Sequence, residues 1–187
     1  MGNAPADGYA AVLLVGFMAA GKTAVGRELA RRTGWRLVDV DEALESWAGA
    51  SVAELFAARG EAWFRQEEDR LTREALDLRE VVVVPGGGWA AVPGRLGDLP
   101  ARVLSVWLRV SPEAAVERAE LEGDTRPLLR GPEPPLDRAR ALLAAREPHY
   151  AGAALHLDTE GRVPLEVADQ ILDYLRRGSD RAHPVSQ

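Results

Sequence analysis

The sequence predicts an α/β protein in which a parallel sheet carries helices on both faces. Short, continuously apolar runs recur along the chain, and the clearest is the four-valine run Val81–Val84. Runs of this kind are typical of strands that are buried on both faces. Segments with helical spacing separate the runs, and such alternation favours parallel strands that are joined by helical crossovers.

Length and composition favour one soluble enzyme-sized domain. The chain has 187 residues, 47% of them hydrophobic, and a formal net charge of −6. Non-specific nucleic-acid binding needs an excess of Lys and Arg, so this acidic chain is not expected to bind nucleic acid. No apolar run approaches the roughly 18 residues of a membrane span, and residues 1–10 lack a secretory signal pattern. We therefore expect a cytoplasmic monomer without a membrane partner. The chain contains no cysteine, which excludes thiol catalysis.

The first half of the chain alternates between predicted strands and helices. Strands are predicted over residues 10–15, 35–40 and 81–84, and helices over residues 22–32, 41–48, 52–59 and 61–78. Gly49 and Gly60 separate the last three helices, because glycine weakens a helix interior.

The second half repeats the alternation around one long loop. Strands are predicted over residues 103–108 and 154–158, and helices over residues 112–119, 136–146 and 164–177. Residues 120–135 contain six glycines and prolines, and a loop of this kind in a compact domain is typical of an active-site lid. We expect a single domain over residues 1–187, with a core at 10–176 and a flexible tail at 178–187.

Residues 16–23 match the phosphate-loop pattern G-x-x-x-x-G-K-[ST] at every fixed position. A predicted buried strand precedes them and a helix follows, as this loop requires. Backbone N–H groups and the helix N-terminus attract phosphate, and Gly21 allows its close approach. Lys22 is expected to reach the β- and γ-phosphates and the Thr23 hydroxyl to reach Mg²⁺. The sequence therefore predicts a nucleotide site, and it lacks the guanine-reading Asn-Lys-x-Asp of common GTPases.

Candidate acceptor residues lie where the predicted strands end. Asp39 and Asp41 are two residues apart at the end of the second strand, so both are expected to face the crevice at the carboxyl edge of the sheet. One would support Mg²⁺ and the other would accept a hydroxyl proton; alternatively, Asp41 only caps the next helix. Gly86, Gly87 and Gly88 follow the four-valine strand, either as a simple turn or as backbone that touches a ligand.

Three arginines are candidates for binding anions. Arg65 is expected either to clamp a carboxylate or to pair with Asp69 on its own helix. Arg126, on the predicted lid, is either an arginine finger for the γ-phosphate or a solvated loop residue. Arg146 ends a predicted helix, where it either complements the helix C-terminus or supplies a second cation for an acidic substrate.

The ordered set of motifs resembles the shikimate kinase family over residues 10–176. The segments that carry the resemblance are Gly16-Phe17-Met18, Gly21-Lys22-Thr23, Asp39-Val40-Asp41, Phe64-Arg65, Gly86-Gly87-Gly88, Arg126-Pro127-Leu128-Leu129 and Arg146 before Pro148 and Tyr150. The resemblance implies a three-layer, adenylate-kinase-like P-loop fold with a five-stranded sheet of order 2-3-1-4-5. It also implies Mg²⁺-dependent transfer of the ATP γ-phosphoryl group to the 3-hydroxyl of shikimate, in aromatic amino-acid biosynthesis.

The resemblance assigns roles to individual residues. Asp41, Lys22 and Arg126 would be catalytic, with Asp41 as the base. Thr23 and Asp39 would support Mg²⁺. The residues implied to bind shikimate are Asp41, Phe56, Phe64, Arg65, Gly86, Gly87, Gly88 and Arg146. Those implied to bind ATP are Gly16, Ala19, Ala20, Gly21, Lys22, Thr23, Ala24, Arg126 and Arg118, the last by stacking on adenine.

Two residues depart from the family pattern, and two other functions stay open. Ala19 stands where the family often has glycine, and we expect this variable position to tolerate it. Trp89 follows the glycines where a small residue is common, and it is expected to crowd the pocket mouth. Gluconate kinase shares the fold and a hydroxylated acid as acceptor, and a non-catalytic binding domain is the alternative from another class.

Overall fold

The computed structural model describes residues 8–121 and 133–182, with the side chains of residues up to 177. The strands are β1 (Ala11–Val15), β2 (Arg36–Asp39), β3 (Val81–Val84), β4 (Val103–Arg109) and β5 (Leu155–Asp158). The helices are α1 (Lys22–Thr33), α2 (Val40–Ala48), α3 (Val52–Arg59), α4 (Glu61–Leu76), α5 (Pro112–Leu121), α6 (Pro135–Tyr150) and α7 (Pro164–Ala182).

The strands form one parallel sheet in the order β2-β3-β1-β4-β5. In its middle, Val12 lies beside Val82 of β3 and Leu104 of β4. Every residue of β1 and β3 is buried, as the continuous apolar runs predict for central parallel strands. The predicted α/β class and the strand order implied by the family resemblance are both confirmed.

A glycine inside α1 brings this helix close to the sheet. A Cβ atom on Gly26 would lie 2.8 Å from Val84 Cγ2 and 3.2 Å from Leu37 Cδ1. Glycine normally costs a helix about 1 kcal/mol relative to alanine, but here a larger residue would push α1 off β2 and β3. The close packing fixes the N-terminus of α1 at the carboxyl edge of the sheet.

The two helices at the C-terminal end of the described chain continue well beyond their predicted ends. The predicted helix at 136–146 stops before Pro148, yet α6 runs through that proline to Tyr150. Proline removes a single backbone donor, and the end of α6 is held by the bond from the Ala151 N–H to the Glu147 carbonyl, at 3.0 Å. Helix α7 continues to Ala182 rather than ending at residue 177.

None of the helices in residues 8–121 and 133–182 is both long and apolar enough to cross a lipid bilayer.

Candidate active site

The phosphate loop connects β1 to α1 with a backbone that depends on glycine at two positions. Gly16 has φ 146°, and a Cβ atom there would overlap the Leu108 carbonyl oxygen. Gly21 has φ 83° and precedes α1 without a side-chain cap. The first N–H groups of a helix lack partners within the helix, so this uncapped N-terminus can bind an anion.

Lys22 folds back over this loop. Its side chain is only 9% exposed, and among its contacts Nζ donates hydrogen bonds to the Gly16 carbonyl at 3.1 Å and the Phe17 carbonyl at 3.0 Å. The ammonium group is thus held at the rim of the loop, where it can reach the phosphates of a bound nucleotide.

Thr23 and Asp39 form a direct pair beside the loop. The Thr23 hydroxyl donates to Asp39 Oδ2 at 2.7 Å. Asp39 is buried, lies beside Val84 at the carboxyl end of the sheet, and accepts a bond from the Glu42 N–H as the N-cap of α2. The pair therefore joins α1 to β2, beside the end of β3.

Asp39 and Asp41 reach one cavity, but not by the predicted geometry. The prediction that both lie on one strand is wrong, because β2 ends at Asp39 and Asp41 lies in the first turn of α2. The helix begins here because the Asp39 carboxylate caps it, which leaves Asp41 to point inward. The cavity has a volume of about 380 Å³ and is lined by Ala19, Gly21, Lys22, Thr23, Ala24, Arg27, Asp39, Asp41, Glu42, Glu45, Val84, Pro85, Gly86 and Gly87.

Asp41 is an unusual carboxyl group in this cavity. Its Oδ1 atom is buried and has no hydrogen-bond partner among the described residues. Burial, together with the negative charges of Glu68 and Asp39, raises the pKa of Asp41 from 3.8 to about 6, although Lys22 and Arg65 oppose this shift. A carboxylate with a raised pKa in a cleft is suited to accept a proton near neutral pH.

Glu68 lies at the same place and was missed by the sequence analysis. It is fully buried, and its Oε2 accepts a hydrogen bond from Arg65 at 2.7 Å. Its Oε1 has no partner in the described part of the chain. A Cβ atom on Gly86 would overlap Glu68 Oε1 and lie 3.3 Å from Asp41 Oδ1. Two carboxyl groups therefore converge on Gly86.

Arg65 is held between these carboxyl groups and two aromatic rings. Its Cζ lies 5.6 Å from the centre of the Phe56 ring and 5.5 Å from that of Phe64. The two ring centres lie 4.4 Å apart; Phe64 belongs to the buried core and Phe56 packs against it. A Cβ atom on Gly88 would lie 2.8 Å from Arg65 Cζ, so the glycine leaves room for the guanidinium group.

The predicted partner of Arg65 was the wrong acid. Arg65 pairs with Glu68 at 2.7 Å and with Glu61 at 3.4 Å, whereas Asp69 pairs with Arg73 at 3.0 Å. Residues three apart lie on the same side of a helix as residues four apart, so the spacing alone could not separate Glu68 from Asp69.

The end of α6 approaches the phosphate loop and the glycines. Arg146 Cζ lies 5.9 Å from the centre of the Phe17 ring. Tyr150 is fully buried, and its hydroxyl donates to the Gly87 carbonyl. Burial raises the pKa of Tyr150, against the opposing effect of the positive charges of Arg146 and Arg65. The last turn of α6, beyond Pro148, thus supports Gly87. This turn lies outside the predicted helix, which ended at residue 146.

Trp89 does not crowd the pocket mouth. It is 1% exposed, and its indole N–H donates to Asp69 at 3.0 Å. Arg95 lies over the ring, with its Cζ 5.0 Å from the ring centre, and donates to the Trp89 carbonyl at 2.7 Å. A large residue is accommodated here because the chain turns it into the core below α4.

The remaining predicted nucleotide residues fall in two groups. Ala20 is buried and Ala24 lines the cavity. Arg118 does not extend into open space: it donates to the Ala19 carbonyl at 3.1 Å and to the Thr159 carbonyl at 2.9 Å. Arg126 and residues 122–132 of the predicted lid lie outside the described residues.

A second cleft, of about 460 Å³, lies beside β4, β5 and α6 and contains no phosphate-loop residue. Both arginines that line this cleft form ion pairs. Arg109 holds Asp158 through two hydrogen bonds, at 2.8 and 2.7 Å, and Arg140 pairs with Glu113 at 2.6 Å. The smaller cavity is the candidate active site, because it combines the phosphate loop with the buried carboxyl group of Asp41.

Solved structures share this architecture. The shikimate kinase from Acinetobacter baumannii in complex with shikimate has a TM-score of 0.82 at 30% identity, covering 92% of this chain and 98% of that one. A gluconokinase from Sinorhizobium meliloti has a TM-score of 0.61 at 18% identity, covering 92% of this chain and 94% of that one. The second likeness is one of fold alone.

The sequence comparisons point the same way. The shikimate kinase of Moorella thermoacetica is 42% identical over 165 residues, which cover 88% of this chain and 94% of that protein. A family model described as shikimate kinase matches residues 18–176, most of the chain. Because this match covers most of the chain and most of the candidate active site, the chain belongs to the shikimate kinase family.

Proposed function

We propose that this protein transfers the γ-phosphoryl group of ATP to the 3-hydroxyl of shikimate. One observation carries the proposal. Lys22 and the Thr23–Asp39 pair line the same cavity as Asp41, Gly86 and Gly87. A phosphoryl donor and a hydroxyl acceptor would therefore meet in the same cavity, as direct transfer requires.

The proposed acceptor end combines cations with carboxyl oxygens. Arg65 and Arg146 would bind the carboxylate of shikimate, since a guanidinium group suits bidentate binding of an acid. Phe56 and Phe64 would line the ring side, and Gly88 would keep the backbone open next to Arg65. Asp41 Oδ1 and Glu68 Oε1, which have no hydrogen-bond partner among the described residues, would accept hydrogen bonds from substrate hydroxyl groups.

In the proposed reaction, Asp41 accepts the proton of the attacking hydroxyl. That oxygen bonds to the γ-phosphorus while the bond from the γ-phosphorus to the bridging oxygen breaks, and ADP leaves with the electron pair. Lys22 stabilises the charge on the phosphate oxygens. Arg126 would add a second positive charge from the lid, and Arg118 would contact the nucleotide from α5.

Thr23 and Asp39 fit the proposed role in Mg²⁺ binding. A hydroxyl and a carboxylate oxygen 2.7 Å apart are the hard oxygen ligands that Mg²⁺ prefers, and this ion usually takes its remaining ligands from phosphates and water. Bound there, the ion would neutralise phosphate charge during transfer.

A coupled ADP-release assay with ATP and Mg²⁺ tests the proposal. Shikimate, gluconate and no acceptor are compared at equal concentrations, and we expect release that depends on shikimate. Turnover with gluconate instead would overturn the acceptor while keeping the phosphate site. ATP binding without any acceptor-dependent release would favour the non-catalytic domain.

Arg65→Ala is expected to raise the KM for shikimate by about 10²-fold, because a charge-assisted, bidentate contact is lost. The KM for ATP is expected to stay within about twofold. Steady-state kinetics with each substrate varied provides the measurement. Arg70→Ala is the matched control, since Arg70 lies on the same helix and pairs with Glu67 and Glu74, and none of these three residues lines the cavity. An unchanged KM for shikimate would remove Arg65 from the acceptor site.

Glu68→Gln is expected to raise the KM for shikimate by about tenfold, since Arg65 loses its charged partner and swings between conformers. The neighbouring acid offers a control: Glu67→Gln removes a carboxylate that pairs with Arg70 and should leave kinetics unchanged. If Glu68 only supported the fold, the melting temperature of Glu68→Gln would fall without a selective change in the KM for shikimate.

We also propose that the protein works in the cytoplasm as a monomer. Its acidic composition supports a solvated surface rather than association with nucleic acid or anionic membranes. Size-exclusion chromatography with light scattering is expected to give one species near the chain mass of 20.2 kDa; a mass twice as large would contradict a monomer.

A further inference from the structure

Arg118 cross-links the phosphate loop to the segment after β5. One of its terminal nitrogens donates to the Ala19 carbonyl and to the Thr159 hydroxyl oxygen, both at 3.1 Å, and the other donates to the Thr159 carbonyl at 2.9 Å. Thr159 is itself buried and donates to the Arg109 carbonyl at 3.0 Å. The guanidinium group is thus engaged on one side by the loop and on the other by a fixed part of the sheet edge.

The residue that Arg118 holds has a backbone conformation that alanine rarely adopts. Ala19 has φ 54°, in the left-handed region where a Cβ atom crowds the following carbonyl oxygen and glycine is favoured. It is the third residue of a turn that the Ala20 N–H closes on the Phe17 carbonyl, at 3.3 Å. Turns with a positive φ at the third residue select glycine for this reason. The sequence pattern therefore allows any residue at position 19, but the backbone there must adopt a left-handed conformation that favours glycine.

The carbonyl of Ala19 and the N–H of Ala20 belong to the same planar peptide unit and point in opposite directions. A donor that fixes the carbonyl consequently fixes the N–H direction and the turn around it. Phosphate binding by such a loop depends on how its N–H groups are oriented. A strained loop that relaxed before binding would have to be reordered by its ligand, and that lowers affinity.

We propose that Arg118 is a positioning residue of the phosphate loop. It holds Ala19 in the left-handed conformation and thereby keeps the loop in the conformation that binds phosphate. This inference deepens the proposed function and relies only on its nucleotide site. It differs from a role in stacking on adenine, because it makes the binding of a phosphate chain without any base depend on Arg118. It also links that dependence to the alanine at position 19.

Inorganic tripolyphosphate is the probe that separates the two roles, since it carries the phosphate chain without the base. Calorimetric titrations of tripolyphosphate and of ATP, without an acceptor, are compared for wild type, Arg118→Ala and Arg118→Lys. We expect both variants to bind each ligand about tenfold more weakly, because lysine keeps the charge but cannot reach both Ala19 and Thr159 as a planar fork does. Arg140→Ala, which removes an exposed arginine paired with Glu113, is the control and should bind normally.

A second substitution tests the link to backbone strain. Ala19→Gly removes the cost of the left-handed conformation, so Arg118→Ala combined with Ala19→Gly is expected to regain tripolyphosphate binding to within about threefold of wild type. The proposal is overturned if Arg118→Ala weakens ATP but not tripolyphosphate, which would mean stacking alone. It is also overturned if Arg118→Lys binds tripolyphosphate normally, or if Ala19→Gly gives no recovery, since charge alone would then explain the effect.

These titrations do not involve shikimate, so failure of the acceptor assignment would leave them interpretable. Circular dichroism and thermal melting confirm that each variant is folded. If Arg118→Ala is not, Thr159→Val serves in its place, because it removes one acceptor of the Arg118 cross-link and keeps the arginine. Thr159→Val is then expected to weaken tripolyphosphate and ATP by the same factor, and unchanged binding of both would contradict the proposal.

Discussion

Replacing Asp41 with asparagine is expected to lower kcat by about 10²–10⁴-fold, the range for loss of a general base. Asparagine keeps the shape of the side chain and its ability to contact a substrate hydroxyl, but it cannot accept the proton. The KM for ATP should therefore change little. Steady-state kinetics at saturating shikimate measures this, and Asp98→Asn, at an exposed loop position, is the control.

The same substitution is expected to stabilise the protein at neutral pH. Because the folded state raises the pKa of Asp41 from 3.8 to about 6, its contribution to stability is fully present below pH 3.8 and is lost as pH rises through about 6. Above pH 6 the ionised carboxylate destabilises the fold, and the neutral amide of Asp41→Asn removes that charge. The difference between the folded and unfolded pKa values corresponds to at most about 3 kcal/mol in the free energy of unfolding.

Thermal melting across pH gives the sign of this effect. The melting temperature of Asp41→Asn should exceed that of wild type at pH 8, and the difference should shrink as pH falls from 6 towards 4. In parallel, kcat/KM of the wild-type enzyme should fall below about pH 6 as Asp41 is protonated. Full turnover in Asp41→Asn would exclude Asp41 as the base. A lower melting temperature at pH 8 would mean that its hydrogen bonds outweigh the cost of burying its charge.

Some parts of this site are readable from the sequence because they are local. The phosphate loop has a fixed length between a buried strand and a helix, and the four valines before the glycines have no other plausible place than the middle of a sheet. Such patterns depend only on residues that are close in the sequence. Once the sheet is recognised, the places of the loop and of the strand in the fold follow from it. Helix ends were less accurate, as Pro148 shows, because proline discourages a helix without forbidding it.

Glu68 shows what local patterns do not contain. It lies in the charged run Glu67-Glu68-Asp69-Arg70, which is typical of a solvated helix face, yet Glu68 is fully buried. Its burial depends on the rotation of α4 against Gly86 and α2, which only the tertiary structure defines. The spacing of three residues from Arg65 was the available signal, and it competed with Asp69 at four.

Ala19 and Arg118 illustrate a longer-range limit. The two residues are 99 positions apart, and the phosphate-loop pattern permits any residue at position 19. The expectation that alanine is simply tolerated took no account of the left-handed backbone. A motif records which side chains a loop needs, whereas the contacts that hold an unfavourable backbone come from other elements.

Lys22→Met is expected to lower kcat/KM for ATP by about 10³-fold or more, since the substitution removes a positive charge from the phosphates in a site where water is restricted. Methionine retains the length and apolar stem of the side chain, so the packing of the stem is largely preserved. The measurement is steady-state kinetics with ATP varied, together with calorimetric titration of ATP. Arg31→Met is the control, because Arg31 lies on the same helix and pairs with Glu28 at the surface.

Lys22 also holds the loop before any nucleotide binds. Its hydrogen bonds to the Gly16 and Phe17 carbonyls would be lost in Lys22→Met, at about 0.5–1.5 kcal/mol each. We therefore expect a modest fall in melting temperature beside the large fall in activity, and a normal ATP affinity would contradict this account of the loop.

Lys22→Arg separates charge from geometry. A compact ammonium group with three donors can lie between two carbonyls at the rim of the loop, whereas a planar guanidinium is wider and directs its donors in a fixed fork. Since Lys22 is only 9% exposed, there is little room for that fork, and Lys22→Arg should recover no more than about a tenth of wild-type kcat/KM. Full recovery would mean that positive charge alone is enough, and the two carbonyl contacts would then have no part in positioning the ammonium group for transfer.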